Sequence, residues 1–175
     1  MESLRIFKNF KDLKEIRRLY DESFPRDERI DFDRLIRMLD DERRMYVYLE
    51  EEKIIGMAYF FLFADIAYLG YICVEEDLRN KGYGTAIISR IKEEYQGYRI
   101  GIDIEEVNKG SSNFEERQRR KDFYLRNDFV STGIFYSFFF VDYEILSYGG
   151  LISKKEWQDL VNKHWGKVAK TARYR

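Results

Sequence analysis

The chain has 175 residues, 45% of them hydrophobic, which is one domain's worth of protein with enough apolar content for a core that needs no disulfide or metal. Charged residues reach 36% but nearly cancel, 31 Lys and Arg against 32 Asp and Glu, and the formal net charge of −1 weighs against nucleic acid gripped by bulk charge. One Cys and one His exclude a disulfide framework and a Cys/His metal site, no EF-hand spacing points to another metal, and 17% aromatic residues with a single Pro exclude a disordered chain.

The first residues, MESLRIFKNFKDLKEIRR, hold no continuous apolar run of the secretory kind. A cytoplasmic location is expected, in keeping with the single thiol. Leu4–Phe7 reads as a short strand. Asp12 is placed to cap a helix with Leu13, Ile16, Leu19 and Tyr20 at helical spacing, and Ser23-Phe24-Pro25 breaks it. Phe32, Leu35, Ile36 and Leu39 then mark one face of a second helix, and Met45–Leu49 reads as a strand.

From Ile54 to Val74 the only charge is Asp65. The length suits a membrane span, but a central Asp costs about 2.5–3.5 kcal/mol on insertion scales. The run is also rich in strand-forming Tyr, Phe and Ile, and Ala64-Asp65 divides it. Two buried antiparallel strands, Ile54–Phe63 and Ala67–Val74, are expected, and no membrane partner. Gly82–Gly84 opens a helix through Tyr95, with Ala86, Ile87, Ile88 and Ile91 inward. Arg99–Glu105 alternates: Ile100, Ile102 and Ile104 face one way, Gly101, Asp103 and Glu105 the other. A charged helix over 113–126, strand-like runs in FVSTGIFYSFFFV and around 143–146, and a helix from Ser153 with Trp157, Leu160, Val161 and His164 on one face complete the chain. The basic residues after Asp159 read as a frayed helix end. The order β-α-α-β-β-β-α-β-α-β-β-α gives an α/β (α+β) fold, a sheet with helices on its faces.

The segment ICVEEDLRNKGYGTAI carries the chemistry. A buried strand ends at Val74, and Arg79-Asn80-Lys81-Gly82-Tyr83-Gly84 leads into a helix. Glycines allow successive N–H groups to point into one space, the helix adds the positive end of its dipole, and Arg79 and Lys81 add charge. This describes an anion site. A phosphate loop of the Gly-Lys-Ser/Thr type is excluded, because Gly84 is followed by Thr-Ala. The dinucleotide fingerprint is excluded, because its third glycine is Ile87. On spacing alone, a glycine turn that merely starts a helix stays open.

Val74 followed by Arg79, Gly82, Gly84 and Ala86 resembles the coenzyme A signature of the GNAT superfamily of N-acetyltransferases. The resemblance implies that backbone amides from Arg79 through Asn80, Lys81, Gly82, Tyr83 and Gly84 to Thr85 hold the pyrophosphate of acetyl-CoA. It also implies that Ile72, Cys73 and Val74 pair with the pantetheine arm. Arg120-Lys121-Asp122-Phe123-Tyr124-Leu125-Arg126-Asn127-Asp128-Phe129 is similar to the family's second signature, in which the Tyr, here Tyr124, protonates the departing thiolate. Three positions depart from the pattern. Arg117 replaces an Asn, Arg120 an Ala and Asp128 a Gly, with Asn127 then expected to take the left-handed position. The implied fold is a mixed, mostly antiparallel central sheet with helices on both faces. The GNAT-like domain is expected over 1–145, with 146–175 as a C-terminal extension carrying a helix.

Acetyl transfer to an amine needs a neutral nitrogen, donors for the thioester oxygen and a proton for the thiolate. Glu105 and Asp103, on one strand face, are the candidate bases, and two ordinary solvent-facing carboxylates are the alternative. Cys73 reads as a buried small hydrophobe rather than a nucleophile. The acceptor, a primary amine of a small molecule or peptide, is expected near Ser23-Phe24-Pro25-Arg26-Asp27-Glu28, Tyr59 and Phe61, attacking directly in a ternary complex. A catalytically silent coenzyme A-binding module is the alternative function. A final exposed strand could pair two copies into a homodimer.

Overall fold

The computed structural model describes residues 1–26, 29–138 and 140–175. In chain order the elements are β1 (Glu2–Ile6), α1 (Lys14–Ser23), α2 (Phe32–Met38), β2 (Arg43–Glu50), β3 (Lys53–Phe63), β4 (Ile66–Val74), α3 (Tyr83–Glu94), β5 (Arg99–Glu105), α4 (Phe114–Arg126), β6 (Val130–Phe138), β7 (Val141–Tyr148), α5 (Lys154–Trp165) and β8 (Arg173–Tyr174). Among the described residues the strands form one mostly antiparallel sheet in the order β1-β2-β3-β4-β5-β7-β6-β8. No described helix is long and apolar enough to cross a membrane. The chain divides into two compact units, Met1–Phe61 with Leu69–Gln96, and Leu62–Tyr68 with Gly97–Arg175.

In the first unit β1 and β2 pair antiparallel with Ile6 opposite Met45, and β2 pairs with β3. Leu13, not the expected Asp12, is the N-cap of α1, which buries Ile16, Leu19 and Tyr20; the Asp12 carboxylate accepts from the Lys14 N–H at 3.3 Å one residue ahead of the cap. Asp31 caps α2 by accepting from the Arg34 N–H at 3.0 Å, an N-cap choice that satisfies one of the helix's orphan donors. Helix α3 buries Ile87, Ile88 and Ile91, whereas Ala86, expected inward, is exposed. At 3.6 residues per turn it falls on the outer stripe with Arg90 and Glu93. Gly56 of β3 lets two strands and a helix close up: a Cβ there would stand 2.5 Å from the Cys73 carbonyl oxygen and 2.6 Å from Ile87 Cδ1.

The second unit is built on β5, β7, β6 and β8. Asp103 lies opposite Ile145 and Ile104 opposite Glu144 across β5 and β7. The described parallel ladder between β4 and β5 joins Ile66, Ala67 and Tyr68 to Arg99, Ile100 and Gly101. Arg99 spreads its guanidinium over Asp65 (2.7 and 2.8 Å), Glu156 (2.7 and 3.2 Å) and the Leu151 carbonyl (2.9 Å), using the fork geometry that carboxylates match. Asp65 therefore sits in the β3–β4 turn with a counterion. Ser153 and Glu156 form a capping box at the start of α5, and Trp157 and Leu160 are buried beneath it. His164 places Nε2 3.0 Å from the Leu62 carbonyl. The tail corrects the expectation of a frayed end. After a 3-10 turn at Gly166–Thr171, Arg173 and Tyr174 pair with Ser137 and Tyr136, and the Arg175 N–H donates to the Phe135 carbonyl at 2.8 Å. Backbone hydrogen bonds and the Arg175–Glu106 ion pair hold the segment, which no hydrophobic period advertised.

Candidate active site

Strand β4 ends with Ile72 and Val74 half-buried and Cys73 buried. Burial pushes the Cys73 thiol up to about 11, against a hydrogen bond with Ser23, so the group stays protonated and poor as a nucleophile. Beyond it Arg79, Asn80, Lys81 and Gly82 are exposed. Asn80 and Gly82 take positive φ of 61° and 87°, the left-handed turns that redirect a chain into a helix. Gly82 is the N-cap of α3, with no side-chain cap hydrogen bond, and a Cβ there would meet nothing within 4 Å. The first-turn N–H groups of a helix lack intrahelical partners. A glycine N-cap leaves them and the positive end of the dipole to an external anion. The flanking side chains fold back: Arg79 Nε donates to the Val74 carbonyl at 3.4 Å, and the Tyr83 hydroxyl donates to Glu50. These features fit a pyrophosphate cradle.

The two candidate carboxylates of β5 have unlike surroundings. Glu105 is clamped by Arg117 at 2.6 Å and Arg120 at 3.3 Å. Arg117 also donates to Asn113 at 2.8 Å and to the Glu106 carbonyl at 3.0 Å, so the residue that replaces the family's Asn is held by the chain itself. Lys121 pairs at 2.6 Å with Glu144, which is 2% exposed. Helix α4 thus docks through charged pairs, and Tyr124 is its one buried side chain among the described residues. Burial, with the nearby Asp103 charge, pushes the Tyr124 phenol up while Arg120 pulls it down, so the proton stays on at neutral pH. The left-handed residue after α4 is Asp128, φ 62°, whereas Asn127 stays at φ −99°. This corrects the expectation for Asn127, whose side chain instead donates to the Phe123 carbonyl at 2.8 Å.

Asp103 is half-buried and accepts from the Tyr68 hydroxyl at 2.7 Å and from Tyr136. Burial pushes its carboxyl above the usual aspartate range, against these hydrogen bonds, which pull it down. Tyr136 lies 5.2 Å from Tyr143 and 5.4 Å from Tyr174, centroid to centroid. Tyr68 lies 4.9 Å from Trp157 and 5.7 Å from Trp165. Sequence reasoning missed Tyr68, Tyr136 and Tyr174, because only strand pairing brings them to β5. Tyr68 stands opposite Gly101, whose missing side chain leaves room for Trp157, 3.0 Å from where a Cβ would be.

On the expected acceptor side, Phe24 packs against Tyr20 at 5.2 Å and Tyr71 at 5.1 Å. Tyr59 and Phe61 are buried outright, with the Tyr59 hydroxyl on the Leu35 carbonyl at 3.2 Å. They are core, not walls of an open site. Asp27 and Glu28 lie outside the described residues. Among the described residues no group of three or more His, Cys, Asp or Glu side chains is arranged to hold a metal.

A family model described as the acetyltransferase (GNAT) family matches residues 13–129, more than half of the sequence, and the chain belongs to this family. Its fold is similar to that of a GNAT-family protein from Bacteroides thetaiotaomicron, with TM-score 0.74, 19% identity, and 97% of this chain and 98% of that one covered. It is also similar to an aminoglycoside 6'-N-acetyltransferase solved with coenzyme A (0.65, 15%, 85% and 96%). A third likeness is to mutant forms of the spermidine/spermine N-acetyltransferase SpeG from Vibrio cholerae (0.63, 17%, 84% and 93%). No curated protein matches the sequence.

Proposed function

We propose that the protein is an acetyl-CoA-dependent N-acetyltransferase acting on a primary amine by direct attack in a ternary complex. The observation that carries this reading is the start of α3, where a family-matching chain presents a glycine N-cap and open first-turn N–H groups. Acetyl-CoA supplies the acetyl group as a thioester. In this reading Arg79–Thr85 hold its pyrophosphate and Ile72–Val74 run along its pantetheine. Tyr124, protonated at neutral pH, gives its proton to the departing thiolate. Asp103 takes the proton of the amine, because Glu105 already has both carboxylate oxygens on guanidinium groups. The acceptor is a small-molecule or peptide amine, and residues 146–175 act as an extension of the domain over 1–145.

The test is the melting temperature with acetyl-CoA, beside ATP and NAD controls. Near 100 times Kd, binding adds about 2.7 kcal/mol, a rise of roughly 5–10 °C at this size. A shift specific to acetyl-CoA, followed by thiol release with an amine and intersecting initial-rate lines, supports the reading. Absence of a shift at millimolar ligand refutes it. Binding without transfer to any amine would identify a silent coenzyme A-binding module.

A further inference from the structure

Charged side chains hold α4 to the sheet. The stripe it turns inward runs through Arg117, Lys121 and Tyr124, the spacing of one helix face, and its first two members are cations where apolar residues are usual. Arg117 reaches Glu105 and the Glu106 carbonyl. Lys121 meets Glu144 of β7 at 2.6 Å. Glu144 lies opposite Ile104 on β5 and Phe135 on β6, so its carboxylate stands between apolar neighbours. Among the described residues Lys121 is its one side-chain partner. The Tyr124 hydroxyl makes no hydrogen bond among the described residues. Its ring lies 5.1 Å from that of Phe123 and 5.5 Å from that of Phe129, both close neighbours in the chain. The phenol therefore inherits its place from the helix that carries it.

We infer that Lys121 and Glu144 form a positioning pair for the Tyr124 hydroxyl: they fix where α4 stands on the sheet, and with it the point from which the phenol delivers its proton. This rests on the acetyltransferase reading, in which Tyr124 protonates the departing thiolate. Tyr124 follows Lys121 by three residues, about 4.5 Å along the axis and on the same face. A slide or roll of α4 at Lys121 is therefore carried on to the hydroxyl. Apolar residues of similar volume often match a buried ion pair in stability, so stability does not account for the charges. Apolar burial is non-directional, whereas a charged hydrogen bond of 2.6 Å fixes one geometry. A misplacement of about 1 Å can cost about 100-fold in rate, which is the scale on which such a pair matters.

The test replaces the pair by apolar residues, Lys121→Met together with Glu144→Leu, in the full parent chain and in Tyr124→Phe. Thiol release from acetyl-CoA with a responsive amine gives kcat and KM, and thermal melts give the acetyl-CoA shift. In the parent the double change should lower kcat about 10- to 100-fold, with KM for acetyl-CoA changed less than about threefold and the melting shift retained. In Tyr124→Phe it should lower kcat less than about twofold, because the acid it positions is gone. Glu144→Gln, which leaves Lys121 an acceptor, should show the same pattern at about three- to tenfold and decides the matter if the double variant does not fold. The inference is overturned if the double change leaves kcat as in the parent, or lowers it equally in Tyr124→Phe. A carbon-13 label at tyrosine Cζ adds a readout that needs no turnover. The Tyr124 signal, identified by its loss in Tyr124→Phe, should stay flat from about pH 8 to about pH 11 in the parent, where burial pushes the phenol up. In the double variant it should titrate near about 10. A signal that stays flat there overturns the inference whatever the activity. A titrating signal in a chain whose parent releases no thiol with any amine overturns the acetyltransferase reading and leaves the hold of the pair on Tyr124 standing.

Discussion

Replacing Gly56 by Ala tests the packing behind the proposed pantetheine path. The added Cβ would meet the Cys73 carbonyl oxygen at 2.5 Å and Ile87 Cδ1 at 2.6 Å. Ile87 is fully buried and has little room to retreat, and the carbonyl belongs to the backbone of β4. Carbon and carbonyl oxygen settle at about 3.3–3.6 Å, so β4 must back away from β3 by about 1 Å. Overpacking costs about 1–3 kcal/mol, and a backbone contact places this change in the upper part, about 2–3 kcal/mol. At about 2–4 °C per kcal/mol for this size, the melting temperature should fall by roughly 4–12 °C. The rise on adding acetyl-CoA should shrink as well, because the displaced carbonyl lies between Ile72 and Val74. Gly110→Ala is the control: a Cβ there meets only Asn108 Oδ1, at 3.4 Å, and should change stability by less than about 0.5 kcal/mol. Thermal melts of both variants with and without acetyl-CoA decide the matter. A Gly56→Ala protein that melts within a degree of the parent, with an unreduced acetyl-CoA shift, would refute the reasoning.

Other perturbations separate binding, chemistry and stability. Tyr124→Phe should lower kcat by about 10²–10⁴-fold while the acetyl-CoA melting shift persists; a thiol-release assay on both proteins checks this, and unchanged kcat would remove Tyr124 from the proton's path. Asp103→Asn should lower kcat more than Glu105→Gln, since Glu105 is already held by two arginines. Asp103→Asn should also raise the melting temperature of the free protein at pH 7. Burial lifts the folded-state pKa of Asp103, so the native chain binds more protons than the unfolded one above about pH 4 and loses stability as pH rises through that window; the gain should vanish below about pH 4. Arg99→Met should cost about 1–2 kcal/mol, because Asp65 and Glu156 are exposed enough to rehydrate. Arg99 and Ser153 hold the Glu156 carboxyl down at about 2, so its contribution is complete above about pH 4.3 and fades as pH falls through about 2. The gap between parent and variant should narrow in that interval.

The apolar periods of α1, α2 and α5 and the alternation of β5 made most of the fold legible, since each element buries one face and polar residues mark the other. The glycine turn before α3 was legible for the same local reason: Asn80 and Gly82 are residue types that accept positive φ. Non-local pairing was not legible. Strand β8 follows from Tyr174 meeting Tyr136 and from Arg175 meeting Glu106, contacts that no window of sequence contains. The contrast between Asp103 and Glu105 also escaped the sequence, because both sit on the same face of one strand. Only the docking of α4 brings guanidiniums to one, and only the pairing of β4, β6 and β8 brings phenols to the other. Tyr59 and Phe61 looked available for an acceptor because periodicity does not tell a covered strand face from an open one.

Asp65 has a second consequence before the sheet exists. During synthesis the chain presents the stretch from Ile54 to Val74 well before Arg99 emerges, so these strands first appear as an aggregation-prone ribbon with one charge at its middle. In that interval the unpaired carboxylate interrupts the ribbon, and in the finished protein the same group is neutralised by Arg99. Asp65→Asn should therefore reduce the yield of refolding at micromolar concentration more than it lowers the melting temperature. Light scattering during dilution from denaturant would record that difference as a kinetic hazard rather than a lost contact.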